Sequence, residues 1–503
     1  MIHISVSDAK MKILRILCLC LALATVLGCF VACDNGGSDE TQSAGGSTAT
    51  STEETTEAET LDDATATYNS ISNEDVNWGG GDFTILCSKY NGDNLQELIS
   101  YGQSGDVLPN AVFERNTRFE DKCNLKLSYV EAKDKDDAYT KAQKEVQGNT
   151  GDLHYFTIDH ATTASLAVEG NLYNFLDMDI DLEKDWWDQG TYSFNMEGHV
   201  FFMNGSWNFS DDRLTWCMLF NKKSYELQQY EDPYQMVLDG KWTLAKFNEL
   251  IQGFSFDSNG DGNYDDQDIY GFVATPHYSN ALFFGAGLRY VNMNKDDYPT
   301  LALSEDSGMM DRAAALVDDV ITLYTANNAT YRPADFQTAY AMFKNNQALF
   351  YGECVSYVIN LNKEYEGSFG VLPVPKYGDD QTEYYTFTQS FSSTLAVPTT
   401  IRKSEMIGDI TQVFSILSHQ LVFPAFYDVV LTSKSVKDPQ SVEMLNIIFQ
   451  NRVYDLSTYF EKLELAGMFE RSAESGTNNF SRDHKSVARS FNKNVKALFK
   501  NLG

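Results

Sequence analysis

From Asp82 to Phe175 the chain switches repeatedly between two hydrophobic periods. "DFTILCSK" alternates apolar and polar residues, which predicts a strand. "PNAVFERNTRFEDKCN" follows, opened by Pro109, with Val112, Phe113 and Phe119 at helical spacing between charges. "LKLSYVEA" predicts the next strand, and "DAYTKAQKEVQGN" a helix stopped by Gly148 and Asn149. "GDLHYFTI" is a third strand and "TASLAVEGNLYNF" a helix ending at Gly170. Side chains repeat every two residues on a strand and every 3.6 on a helix, so neither pattern can bury its apolar face in the other conformation. Strand, helix, strand, helix, strand therefore points to the α/β class, an open sheet with helices on its faces.

The rhythm resumes further on. "LTWCMLFNKK" (214–223) reads as a strand and "TLAKFNELIQGF" as a helix with Thr243 at its N-cap. "IYGFVAT", "QALFYG", "FGVLPVP" and "STLAVP" are strand-like, while "GMMDRAAALVDDVITLYTAN" and "DFQTAYAMFKNNQ" are helical. From residue 404 onward nearly everything reads as helix, ending in a basic stretch, "DHKSVARSFNKNVKALFKN". No internal repeat is visible. A chain of 503 residues can hold two or three such domains.

The first residues follow other rules. Lys12 and Arg15 precede "ILCLCLALATVLGCFVAC", a short charged region and an apolar run of signal-peptide length, with Met11 the expected start. The run ends in small residues before a Cys, in the manner of a bacterial lipobox. "FVAC" places lipidation at Cys33 and "VLGC" at Cys29; Cys33 is preferred because it abuts the polar tail. Residues 1–33 are thus expected to be signal peptide and lipobox, and 34–78 a disordered acidic tether rich in Ser, Thr and Gly, unable to offset its ordering entropy by burial. A globular body would fill 79–503. Beyond the signal, no stretch reads as long and apolar enough to span a membrane. No Lys or Arg occurs between Arg15 and Lys89, so the tether has no charge-based hold on anionic lipid. The net charge of −33 argues against nucleic-acid partners.

Cys87, Cys123, Cys217 and Cys354 are widely spaced and show no CxxC pair, so buried thiols are expected, with a Cys87–Cys123 disulfide conceivable. "DSNGDGNYDDQD" fits an EF-type calcium loop: Asp257, Asn259, Asp261, Asn263, Asp265 and Asp268 fill the ligand slots and Gly262 the sharp turn. A strand-like segment follows it rather than a second helix. That makes it a structural calcium site rather than a switch. An acidic turn without metal is the alternative.

Taken in order, these segments resemble bacterial extracellular solute-binding proteins of family 1, the lipid-anchored receptors of ABC importers that include maltose-binding protein. The resemblance rests on "AVFERNTRFEDKCNLKLSY", "GDLHYF" with "LAVEGNLYNF", "LFNKKSYE", "DGKWTLAKFNEL", "YAMFKNNQALFYGE" and "FGVLPVPKYG". It implies a two-lobe periplasmic-binding-protein-like fold of type II, with discontinuous lobes joined by a hinge. Lobe one would be about 80–215 and 395–450, lobe two about 218–390 and 451–503. It also implies a monomer on the extracellular face of the membrane, capturing a small solute by hinge closure and delivering it to permease subunits. No covalent chemistry is implied.

A sugar or oligosaccharide is the expected solute, recognised by flat apolar faces and a few polar groups. The candidates near the lobe crossings are Trp186 and Trp187 of "DWWDQ", then Asn204, Trp207 and Asp211 of "FFMNGSWNFSDDR", and Tyr351 and Glu353 of "LFYGECVSY". For each Trp the competing reading is core packing, and for each acid a solvated surface. Two rivals remain: a lipid-anchored carbohydrate enzyme, for which no GxSxG, HExxH or P-loop is present, and a surface receptor without a transport role. His154 and His160 stand six apart, the wrong spacing for one helical face, and are read as structural or surface residues.

Overall fold

The computed structural model describes residues 62–500 except 90–93, 101, 103–105, 193–194, 295, 304–307 and 432–438. The signal run, both lipobox cysteines (Cys29 and Cys33) and the tether up to residue 61 lie outside the described residues.

The strands of the two main sheets are, in chain order, β1 (Asp82–Ser88), β2 (Lys126–Ala132), β3 (Tyr155–Asp159), β4 (Trp216–Asn221), β5 (Tyr270–Ala274), β6 (Thr330–Tyr331), β7 (Ala348–Cys354), β8 (Phe369–Leu372) and β9 (Ser393–Ala396). The helices used below are α1 (Asp63–Ser70), α2 (Val107–Cys123), α3 (Lys135–Gly148), α4 (His160–Val168), α5 (Val355–Glu364), α6 (Ser404–Leu417), α7 (Phe423–Leu431), α8 (Pro439–Gln450) and α9 (Phe480–Leu498).

The first lobe is a sheet of order β9-β3-β1-β2. β1 runs parallel to β2 and β3, with Leu86 opposite Val130 and Phe156, and β9 is antiparallel to β3. Phe83, Ile85 and Tyr155 point to one face, toward Phe119 of α2 and Ile407 to Leu417 of α6. Leu86, Phe156 and Ile158 point to the other, toward Ala138 and Ala142 of α3 and Ala164 and Leu166 of α4. All of β3 is buried because helices cover both faces. Asp134 caps α3 by accepting the Asp137 N–H at 2.8 Å, and Asn149 ends it at φ +46°, a turn that Asn tolerates better than most residues.

The second lobe is a sheet of order β8-β4-β7-β5-β6, in which β5 is parallel to β6 and β7 while β4 is antiparallel to β7 and β8. Met218, Phe220, Phe272 and Phe350 face Trp242, Phe247 and Tyr278. Cys217, Leu219, Val273 and Tyr351 face Val355, Val358 and Leu361 of α5. The strands expected from sequence are all present.

Several expectations need correction. Residues 62–78, grouped by composition with the tether, belong to the body. Asp62 caps α1 through the Thr65 N–H at 2.7 Å, and Ile71, Val76 and Trp78 are buried. Those three apolar side chains supply the burial that the preceding acidic stretch lacks. The stretch from 395 to 450 does not all return to lobe one. α6 does, but a π-helical turn at Ser418–Val422 carries the helix onward into α7. There Val422, Phe426 and Val430, with Leu445 and Ile448 of α8, pack on Leu219, Phe369 and Val371 of the second sheet. The joined helix is also long and apolar enough by composition to cross a membrane, contrary to the sequence expectation. Its apolar residues are instead shared between the cores of both lobes. Nor is everything after 404 helical: residues 451–467 form a short strand and tight turns. Cys87, Cys123, Cys217 and Cys354 are buried free thiols, as the sequence led one to expect, and the conceivable Cys87–Cys123 disulfide is not formed; burial pushes the Cys87 and Cys123 thiols up to about 12.

Candidate functional site between the lobes

The chain passes between the lobes at three places. The first is 208–216, the second 387–393, and the third the π-helical turn. The first two are bridged at Thr215 and Thr388, whose hydroxyls meet at 2.8 Å. Asn208 Nδ2 donates to the Ser393 carbonyl at 2.9 Å, and the Ser210 and Ser393 hydroxyls are 2.8 Å apart.

Glu97 and Arg115 fasten all three crossings. Glu97 Oε2 accepts the N–H groups of Phe209 (3.0 Å) and Ser210 (2.9 Å), while Oε1 accepts the Ser393 hydroxyl. Arg115 donates to the Glu97 carbonyl at 2.6 Å and to Ser418 Oγ, at the head of the π-helical turn, at 2.8 Å. Both are fully buried, and burial pushes the Glu97 carboxyl up to about 7. No local pattern marks either residue in the sequence.

A second polar cluster joins lobe one to the segment after α8. Arg452 Nη2 lies 2.6 Å from Asp188 Oδ2; Nη1 lies 3.4 Å from Asp211 Oδ2 and contacts Asp212. The Tyr454 hydroxyl lies 2.9 Å from Asp188 Oδ2 and 3.2 Å from Asp211 Oδ2, and its one proton is given to the nearer, Asp188. Three carboxyl groups thus share one guanidinium out of water. Burial raises Asp211, and pushes Asp212 up to about 8. Asn204 Nδ2 donates to Asp211 at 3.2 Å and faces His160 Nε2 at 3.2 Å. Nε2 therefore accepts, and the opposite nitrogen, Nδ1, donates to Ser392 Oγ at 3.0 Å. His160 is a neutral imidazole, its pKa pushed down to about 4 by burial.

The predicted site residues divide. Asn204 and Asp211 meet in this cluster. Trp187 pairs with Gly205, beside Trp186; a Cβ at Gly205 would sit 2.3 Å from the Trp186 carbonyl, so only glycine lets these strands approach. Trp186, Trp187 and Trp207 are buried in the core of lobe one, and their indole N–H groups find no partner among the described residues. Tyr351 and Glu353 sit on β7, away from that cluster. Tyr351 stacks on Phe343 with ring centroids 5.3 Å apart. Glu353 Oε1 accepts the Cys354 N–H at 2.9 Å, Oε2 has no partner, and burial pushes the carboxyl up to about 8.

In open α/β sheets, ligands bind outside the carboxyl ends of strands. In lobe one those ends are Ser88 and Asp159; in lobe two they are Ala274 and Cys354. Among the described residues, Ser88 Oγ, Thr275 Oγ1 and Glu353 Oε2, at or beside these ends, are buried polar atoms with no protein partner. On the second crossing Phe391 stays 43% exposed, with Lys135 Nζ 4.5 Å above its ring and 4.0 Å from Asp159 Oδ1. Among the aromatic side chains the sequence put forward, none is exposed; Phe391, a lone aromatic in a Ser-rich run, gave no signal.

The calcium-like loop, residues 257 to 268, leads into the amino end of β5 in lobe two. Asp257 accepts the Gly260 and Gly262 N–H groups at 2.7 and 2.9 Å, Asp261 accepts that of Asn263 at 2.7 Å, and Asp268 those of Ser258 and Asp265 at 2.8 and 3.0 Å. Asn259 and Asp265 cap turns in the same way. Among the described residues no three His, Cys, Asp or Glu side chains converge as a preformed metal-holding group. The loop's donors are all oxygen acceptors suited to a hard cation, each with lone pairs to spare.

No family model matches the chain, and no curated protein matches it. Solved structures do. The maltose/maltodextrin-binding domain MalE from Bdellovibrio bacteriovorus, bound to maltotriose, matches 83% of this chain and 100% of its own at TM-score 0.52 and 13% identity. An ABC substrate-binding protein from Listeria monocytogenes, in complex with cycloalternan, matches 82% of this chain and 98% of its own at TM-score 0.53 and 14% identity. UgpB from Mycobacterium tuberculosis, in complex with glycerophosphocholine, matches 84% and 99% at TM-score 0.50 and 16% identity. The fold is the two-lobe type II fold of these binding proteins.

Proposed function

We propose that this chain captures a small carbohydrate outside the cell and passes it, unchanged, to the permease of an ABC importer. The observation that carries the reading is the pairing of two α/β lobes, joined by three crossings, with an exposed aromatic on a crossing segment and unpaired polar atoms at strand ends of both lobes. The relatives in fold hold maltotriose and cycloalternan, which supports a saccharide. Phe391 would offer its face to the C–H side of a sugar ring, and Ser88, Thr275 and Glu353 would meet hydroxyls. Ligand touching both lobes favours their closure, so binding shifts a population and needs no bond-making.

The body would work as a monomer on the outer face of the membrane, tethered through a lipid on Cys33, or on Cys29. The loop at 257–268 would hold calcium as a staple of lobe two, remote from the sugar. Thermal unfolding of the purified chain against maltodextrins, other oligosaccharides and glycerophosphodiesters tests the reading. A tight saccharide raises the midpoint by mass action. A response to glycerophosphodiesters alone, or to no solute, would count against it.

A further inference from the structure

The last helix, α9, carries the basic stretch that a binding cleft does not use. Arg482, Lys485, Arg489, Lys493 and Lys496 are all exposed. Their spacings of three and four residues put them within an arc of about 80° on one face, over about 21 Å of helix. Lys500 continues the line past the helix end. Only Asp483 opposes them on the helix, and it pairs with Arg482 at 2.9 Å. Among the described residues no carboxylate stands within ion-pair distance of Lys485, Arg489, Lys493 or Lys496. The apolar side of the helix is spent on the body, with Phe480, Phe491, Val495 and Leu498 buried. In a chain of net charge −33, such a line of unpaired cations is out of character.

We infer that the exposed face of α9 is a contact surface for an anionic lipid bilayer, which orients the body on the membrane that its tether reaches. Protein interfaces draw most of their energy from a few Trp, Tyr and Arg anchors; no large exposed hydrophobic residue lies between 480 and 500, which leaves such a partner only Arg482 and Arg489 to hold. Attraction to lipid headgroups needs charge alone, and it acts on a row of Lys and Arg held at the surface. The chain as a whole carries a net charge of −33, so an approach to an anionic surface would favour the face where the cations are gathered. The inference rests on the tethered reading for its biological setting, but the contact itself does not require the lipid.

The test uses the full chain with Cys29→Ser and Cys33→Ser, so no lipid can be attached. It compares this protein with the same chain also carrying K485E, R489E and K493E, and with a K485Q, R489Q, K493Q version. Binding is read by co-sedimentation with vesicles of neutral phosphatidylcholine, and with vesicles in which about a third of the lipid is phosphatidylglycerol. The wild-type helix should bind the anionic vesicles, weaken with salt, and lose roughly tenfold or more in partition on charge reversal, with the neutralised version between. Equal binding by all three proteins, or equal binding to neutral and anionic vesicles, overturns the inference. So does binding to soluble polyphosphate without binding to anionic vesicles, which would make the partner a free polyanion. Circular dichroism must show all three folded alike, as exposed unpaired side chains allow. Failure of lipid attachment at Cys33 and Cys29 would leave this result unchanged, so the two readings fall separately.

Discussion

Arg452 reaches out of the short strand after α8 and sets its Nη2 2.6 Å from Oδ2 of Asp188, in lobe one. Asp211 and Asp212, at the first crossing, take the other end of the same guanidinium. The two lobes are therefore fastened by a buried charge cluster as well as by their three crossings. Removing the cation strands three acids out of water. Arg452→Ala is expected to destabilise the chain by about 3–5 kcal/mol, as other broken buried pairs do, whereas Asp188→Asn should cost less because Tyr454 can still donate to it. Urea unfolding of both variants measures the difference; equal and small losses would show the cluster to be inert.

The same crowding fixes a pH dependence. Burial pushes Asp212 up to about 8, Glu353 up to about 8 and Glu97 up to about 7. Each keeps its proton in the folded state where the unfolded chain has lost it, so each contributes stability that is lost as pH rises through the folded value. His160 acts in the opposite sense, being held down to about 4, and removes stability as pH falls below the usual imidazole range. The opposing effects overlap below about pH 6.5; above that the acids act in one sense, joined by His277, which its hydrogen bond to Glu470 raises above the usual imidazole range. The thermal midpoint should fall between about pH 6.5 and 8, and Asp212→Asn should flatten that fall. A midpoint that rises over this interval would refute the assignment.

The fold was legible because its signal is local. Every strand of both sheets except the two-residue β6 could be read from its apolar pattern and its turn residues. What the sequence hid was pairing at long range. Arg452 lies far along the chain from Asp188, and nothing near it announces three carboxylates. Trp186, Trp187 and Trp207 carried the right chemistry for a sugar, but a large apolar ring is as useful to a core, and there they went. The end of the tether was misplaced because three buried apolar side chains, Ile71, Val76 and Trp78, outweigh a polar composition.

Phe391 should be the aromatic that a sugar meets. It is exposed on a crossing segment, and Lys135 already rests 4.5 Å above its ring, as a cation does on a usable π face. Phe391→Ala is expected to weaken saccharide binding by about 2 kcal/mol, roughly thirtyfold in Kd, without lowering the midpoint of the unliganded chain. Calorimetric titration with the best sugar from the panel reads the first, and thermal unfolding the second. Trp207→Phe, a core change, should do the reverse. Unchanged affinity in the Phe391 variant would move the sugar elsewhere in the cleft.

The loop at 257–268 gives the last expectation. Its carboxylates are turned onto backbone N–H groups, and Asp268 is fully buried while bonding to both ends of the loop. A bound calcium would add ligand bonds to a turn that is already formed, so chelation should lower the midpoint without unfolding the chain at ambient temperature. Asp257→Asn and Asp261→Asn should abolish the calcium-dependent part of the midpoint yet leave saccharide affinity within about twofold, since the loop leads into the amino end of β5, whereas Thr275 follows its carboxyl end. Asp268 is unsuited to that comparison, because its loss would also undo the turn. Magnesium should substitute poorly, as it demands a tighter, near-octahedral shell. Identical unfolding with calcium and with chelator would reduce the motif to an acidic turn held by its own hydrogen bonds.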